Sequence, residues 1–223
     1  MAKIEKIPTA EFNPFYGCFI MSMAVLVFLG IIGWSAWSLI SQDRAISVFA
    51  EDAPVVLPPI SLSEAERKTL ETKLATFAAE ARAGGKASLS LSLAELNGLL
   101  LLAPDSGYGS YRDMVRFEKL NPAKNRVEGR VSLPLNRIKF WEGKKRYLNG
   151  TAELEVFTHN LGVDARVADV KVPGREVAEG FISGMGAWTW LAPYQKMEVI
   201  GPVLSAIKKA TVTEDELLLE TQP

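Results

Sequence analysis

Residues 126–135 read RVEGRVSLPL, and apolar residues or glycine alternate in this segment with charged or polar ones. Successive side chains of a β-strand point to opposite faces, so this period of two predicts a strand with one covered face and one solvated face. The alternation recurs over residues 148–156 and 161–167, with a change of phase near Ala168 that suggests a β-bulge. Turn-forming residues such as those at 121–125 separate the segments. We therefore predict an antiparallel meander.

Helical signals flank this meander. The capping-box pattern Ser-x-x-Glu occurs at Ser63 and again at Ser92. Apolar residues follow at helical spacing, which predicts an amphipathic helix to about residue 83 and a short leucine-rich helix to about Leu102. One helix is predicted from about Arg175 and a further one to about Lys209, with an uncharged stretch between them, and a last hairpin is predicted over residues 210–220. The predicted fold class is α+β, a curved antiparallel sheet packed with helices behind a single N-terminal transmembrane helix.

The transmembrane prediction rests on residues 17–40, which contain 18 apolar residues and no charge. As a helix this segment would extend about 36 Å, enough to cross a hydrocarbon core of about 30 Å. Its apolar run exceeds the usual length of a signal peptide, so we favour an uncleaved signal anchor. Gly30, Gly33 and Ala36 are candidate positions for packing against another helix, although a plain anchor is the favoured interpretation.

The basic residues around this segment predict its orientation. Lys3 and Lys6 precede it and only Arg44 follows closely, which favours a cytoplasmic N-terminus and a single pass through the bacterial inner membrane. We expect residues 1–16 to be a cytoplasmic tail and 17–40 to span the membrane. We expect residues 41–60, with three prolines, to be a semi-rigid linker, and residues 61–223 to be an extracytoplasmic domain.

Composition narrows the functional classes. Twenty-five basic residues balance 26 acidic ones, which does not favour nucleic acid as a partner. One cysteine excludes an internal disulfide and a cysteine-based metal site, and no metal or cofactor is predicted. The single histidine, His159, lies in a predicted turn, and Glu153 and Glu155 are expected in water on the solvated face of a strand. No nucleophile elbow, phosphate loop or zinc-helix motif is present, so the chain is predicted not to be an enzyme.

One segment is strongly basic. Residues 107–150 contain eleven basic and four acidic residues, a net charge of +7 in a nearly neutral chain. Its densest part offers cations for phosphate groups and aromatic rings for a headgroup boundary. The candidate lipid- or partner-contacting residues here are Lys139, Trp141, Lys144, Lys145 and Arg146. An exposed, merely soluble hairpin tip is an equally good interpretation.

Residues 180–194 form a second unusual segment, fifteen residues without a charge. The stretch is too short to span a bilayer but carries Trp188, Trp190 and Tyr194, which are candidates for contact with lipid or a partner. Three interpretations remain: plain protein core, a loop that touches the membrane or another subunit, and the lining or lid of an apolar ligand cavity.

The order of elements from residue 86 onward resembles that of the YpmS-like family of membrane-anchored bacterial proteins and, more distantly, of the tubular lipid-binding (TULIP-like) proteins. The matching features are the single N-terminal span, LSLAELNGLL leading into a helix, the alternating segments RVEGRVSLPL and GTAELEVF, and the terminal IKKATVTEDELLLE. The resemblance implies a curved sheet wrapped around a helix, with an apolar interior that accepts an acyl chain.

Two functional hypotheses follow from these features. The first is a membrane-anchored protein whose outer domain binds lipid or another amphiphile at the membrane surface. The second is a non-catalytic accessory subunit of a larger membrane complex, in which other membrane proteins are the partners. An enzyme ranks a distant third.

Overall fold

A computed structural model describes residues 14–104, 111–135 and 145–222 of the 223-residue chain. The chain divides into two compact units, residues 1–44 and residues 45–223. Helix α1, Pro14–Phe49, forms the described part of the first unit and ends inside the second. By length and composition it can cross a membrane or serve as a signal sequence. Apart from chain neighbours and the nearby backbone of the helix itself, no described atom lies within 4 Å of the position that a Cβ would take at Gly30 or Gly33. Helix packing there stays a prediction.

The second unit is a mixture of helices and antiparallel strands, which confirms the predicted α+β class. Its helices after α1 are α2 (Glu64–Arg82), α3 (Leu93–Leu102), α4 (Tyr111–Met114), α5 (Glu179–Gly186), α6 (Ala192–Gln195) and α7 (Gly201–Ala206). Its strands are β1 (Ser88–Ser92), β2 (Val115–Asn121), β3 (Arg126–Leu135), β4 (Arg146–His159), β5 (Gly162–Lys171), β6 (Lys209–Val212) and β7 (Glu216–Glu220).

The strands form two antiparallel sheets. The larger is the predicted meander, in the order β2-β3-β4-β5, and the smaller has the order β1-β7-β6. Pairing of β4 with β5 places Asp169 opposite Glu153 but Val167 opposite Leu154, which leaves Ala168 as the extra residue of the expected bulge. The predicted terminal hairpin is confirmed, because β6 pairs with β7 in the smaller sheet. The pairing of β1 with β7 was not predicted, since these strands lie more than 120 residues apart in the chain.

Asn125 joins the two sheets. It follows a 3₁₀ turn over Pro122–Lys124 and has a left-handed backbone (φ 53°), which Asn tolerates better than most residues. Its side-chain amide donates to the carbonyl oxygen of Val156 on β4 at 2.8 Å, and its side-chain oxygen accepts from the N–H of Val212 on β6 at 2.7 Å. One turn residue thus fixes the distance between the sheets.

Helix caps follow the sequence closely. Both predicted capping boxes are present, Ser63 with Glu66 at the start of α2 and Ser92 with Glu95 at the start of α3. The region of residues 175–209 differs from the prediction, because it holds three short helices with turns between them. Glycine-rich α5 has low helix propensity, and Pro193 and Pro202 each begin a new helix instead of continuing an earlier one.

Residues 45–60 are not a free spacer, in contrast to the linker expected over 41–60. Phe49 is fully buried, with its ring centroid 4.8 Å from that of Phe181. The N–H of Val55 donates to the side chains of both Ser132 and Asn149 at 3.2 Å. Buried polar side chains of β3 and β4 therefore satisfy the extended backbone that the prolines impose, and this segment belongs to the domain.

Glu153 also differs from expectation. Only 6% of this residue is exposed, although we expected the outer face of β4 to be in water. Its carboxylate binds Arg126 at 2.8 Å, Lys124 at 3.3 Å and Lys171 at 3.5 Å. The hydrogen bond from Arg126, with smaller contributions from the two lysines, lowers the pKa of Glu153 below its ordinary value.

Candidate functional site

An apolar cavity of about 450 Å³ lies inside the second unit. Helix α2 supplies Leu74, Phe77 and Ala78 to its wall, and helix α3 supplies Leu96, Leu99 and Leu102. The inner faces of both sheets and the segment of residues 190–207 complete the enclosure. Ligand cavities in proteins measure roughly 300–1,000 Å³, so the space is large enough for a small molecule or a hydrocarbon chain.

The sequence of α3 explains why this space exists. The helix reads LAELNGLLLL, so apolar side chains point to all sides rather than to one stripe. A helix of this kind must be covered all round, yet Leu99 and Leu100 are only partly buried and both line the cavity. The strand faces opposite contribute Val127, Leu154 and Val156. These strand faces thus lie opposite one side of the helix without filling the space beside it, while Leu101 is 40% exposed.

Three aromatic side chains form one part of the wall. The rings of Tyr111 and Trp190 are stacked, with centroids 5.5 Å apart and planes at 18°, and Tyr194 lies 6.2 Å from Tyr111. The Tyr194 hydroxyl donates to the carbonyl oxygen of Pro104 at 3.1 Å. These contacts turn the apolar sides of the rings toward the cavity and satisfy the polar group of Tyr194 elsewhere.

A buried carboxylate anchors the segment that carries this aromatic wall. Asp164 on β5 is 1% exposed, and its Oδ1 accepts from the backbone N–H of Leu191 at 3.1 Å. Gln195 donates to the other carboxylate oxygen at 3.3 Å and to the carbonyl of Val163 at 3.1 Å. The imidazole Nε2 of His159 lies 3.6 Å from the same carboxylate. Together these bonds fasten the chain from Trp190 to Gln195 against the sheet.

The rim of the cavity carries charge. Among the described residues, Arg82 is the only charged one that lines the space, and it is exposed at the end of α2. Its guanidinium donates to the carbonyl oxygen of Val199 at 2.8 Å. Val199 also lines the cavity and is 65% exposed, so the apolar interior reaches solvent beside these two residues.

The predicted site residues separate into groups. Trp190 and Tyr194 line the cavity, whereas Trp188 is 62% exposed and does not. Lys145 is exposed and Arg146 is half-buried at the start of β4, and neither lines the cavity. The remaining basic-segment candidates, Lys139, Trp141 and Lys144, lie outside the described residues, as does most of the predicted tail.

Sequence reasoning missed the helical part of the wall. The available signal was the run Leu99–Leu102, four consecutive leucines that one helix face cannot bury. Tyr111 and Arg82 gave no signal, because each becomes a wall residue only through contacts with segments about 80 or more residues away in the chain.

Among the described residues, the cavity wall consists of apolar and aromatic side chains with one guanidinium at its rim, which suits an apolar ligand. In the part of the chain that the structure describes, no group of three or more His, Cys, Asp or Glu side chains could hold a metal ion. The buried carboxylate of Asp164 accepts hydrogen bonds from the backbone N–H groups of Ala165 and Leu191 and from the side chain of Gln195.

No protein-family model, curated protein or solved structure matches the chain. The resemblance to YpmS-like and TULIP-like proteins therefore stays a prediction, and the functional argument rests on the geometry.

Proposed function

We propose that the protein is a single-pass membrane protein whose α+β domain binds the acyl chain of a lipid in the apolar cavity. The cavity is the observation that supports this proposal. A chain that leaves a bilayer for water loses roughly 0.8 kcal/mol per exposed methylene. Contact with the leucine, valine and aromatic side chains of the cavity offsets this unfavourable free energy, so transfer from the bilayer to the cavity costs little.

The long apolar helix α1 supports the membrane part of the proposal. Lys3 and Lys6 before it outnumber Arg44 after it, which favours a cytoplasmic N-terminus and a domain on the outer side of the inner membrane. Only four residues separate Ile40, the end of the uncharged stretch, from Ala45, the start of the compact unit.

The test uses the full chain in phosphatidylcholine nanodiscs, to which a palmitic acid with a diazirine near its methyl end is added. After irradiation, mass spectrometry of peptides locates the label. We expect label both on α1, which reports the probe dissolved in the bilayer, and on the peptides that carry Leu74–Ala78 and Leu99–Leu102. Label confined to α1 would overturn the proposal.

One observation favours a second candidate, an accessory subunit of a membrane complex. Trp188 is 62% exposed and follows helix α5, in which Glu179 is the only charged residue, so its ring is available to another protein. Recovery of a stoichiometric partner after mild solubilisation, together with absence of label from the cavity, would favour this role.

A further inference from the structure

Arg82 lies where it can influence which lipids enter the cavity of the proposed function. A wall of leucines and valines holds any hydrocarbon chain equally well, so discrimination must come from a polar group at its edge. Arg82 is the only charged lining residue in the described ranges, and it lies where the apolar interior meets solvent.

The guanidinium of Arg82 has hydrogen-bond donors that are available to a ligand. Arginine carries five N–H donors, and in the structure Arg82 makes one hydrogen bond, to the carbonyl oxygen of Val199. That bond holds the side chain across the rim but leaves its charge uncompensated. Within the described ranges no carboxylate lies at salt-bridge distance from Arg82. By contrast, Arg67 on the same helix pairs with Glu71 at 2.8 Å.

We propose that the cavity selects single-chain amphiphiles with an anionic headgroup, whose carboxylate or phosphate binds Arg82 while the chain lies among the leucines. A planar guanidinium recognises the two oxygens of such a headgroup with paired hydrogen bonds. This inference rests on the proposed function. It adds that a neutral amphiphile of the same chain length binds more weakly.

The test compares three photoactivatable probes of equal chain length, ending in a carboxylate, a phosphate or an alcohol, on the full chain in phosphatidylcholine nanodiscs. Label on cavity peptides is divided by label on α1, which corrects for partition into the bilayer. Arg82→Gln is expected to lower carboxylate and phosphate labelling about fivefold and to leave alcohol labelling unchanged, since an exposed charge pair supports a change of that order. The ratio between the two anionic probes distinguishes a free fatty acid from a phosphate-bearing lipid as the ligand.

Two variants serve as controls. Arg82→Lys keeps the charge but loses the paired hydrogen bonds, so it is expected to give anionic labelling between that of the unaltered protein and that of Arg82→Gln. Arg67→Gln removes an arginine from the same helix away from the cavity and is expected to change nothing. An equal fall for all three probes in Arg82→Gln would overturn the inference, because Arg82 would then only shape the wall through Val199. Unchanged labelling by all three would overturn it too, while leaving the proposed function intact. Absence of cavity label from every probe in the unaltered protein would overturn the proposed function itself.

Discussion

At the scale of single residues, Glu153 illustrates how tertiary contacts change the meaning of a sequence pattern. Alternation along β4 places its side chain on the outer face, and period-two reasoning therefore expects water around it. The bulge at Ala168 and the cations Arg126 and Lys171 cover the carboxylate instead. The position of a long basic side chain on a neighbouring strand depends on register, which the local sequence does not specify.

This environment predicts a pH-dependent contribution to stability. Because the folded-state pKa of Glu153 is lowered from the ordinary value of 4.5, its contribution is fully present above that value and is lost as the pH falls through the lowered pKa. At pH 7, Glu153→Gln is expected to reduce the free energy of unfolding by about 2 kcal/mol, since it leaves the partly buried guanidinium of Arg126 without its carboxylate partner. Thermal unfolding of the full chain in nonionic detergent measures the effect.

Glu155→Gln provides the matched control on the same strand. Glu155 pairs with Arg166 at 2.9 Å but is more exposed, so its replacement is expected to cost less than about 1 kcal/mol. A difference between the Glu153 variant and the unaltered protein that does not shrink toward acid pH would contradict the assignment.

Among the helices and strands, the local sequence correctly predicted those features that depend on interactions between nearby residues. The meander, the bulge at Ala168 and both capping boxes follow from spacing within a few residues. The three short helices after residue 178 were not predicted as separate elements, because glycines and prolines weaken helical periodicity there. The residues before Glu64 were misjudged since proline-rich extended chain looks the same whether it is solvated or hydrogen-bonded to a sheet.

The charge-free segment of residues 180–194 carries an element-scale prediction. Trp190 stacks on Tyr111 and packs against the core, so Trp190→Ala is expected to lower the free energy of unfolding by about 2–3 kcal/mol. Trp188 is exposed, and Trp188→Ala is expected to change it by less than about 0.5 kcal/mol. Far-UV circular dichroism during heating compares the two variants. An equal loss of unfolding free energy in both would contradict the distinction between Trp190 in the cavity wall and Trp188 exposed to solvent.

At the scale of the whole molecule, the cavity depends on contacts that no single segment encodes. Its walls require β1 to pair with β7, Asn125 to bridge the two sheets, and Asp164 to hold Leu191. Each contact joins residues tens of positions apart in the chain. From the sequence, residues 180–194 could be recognised as apolar, and a ligand cavity was one of three interpretations of them. The volume and the lining residues of the cavity could not be predicted.

A bulky side chain placed inside the cavity should compete with an acyl chain for the same space. Ala78 on α2 lines the space, whereas the adjacent Ala79 is exposed on the same helix. We expect Ala78→Phe to place a ring in the cavity and to lower labelling of the Leu99–Leu102 peptide by the diazirine palmitic acid, with labelling of α1 unchanged. In the Ala79→Phe variant, the probe is expected to label the same peptide to the same extent as in the unaltered protein. Equal cavity labelling in the two variants would contradict the account.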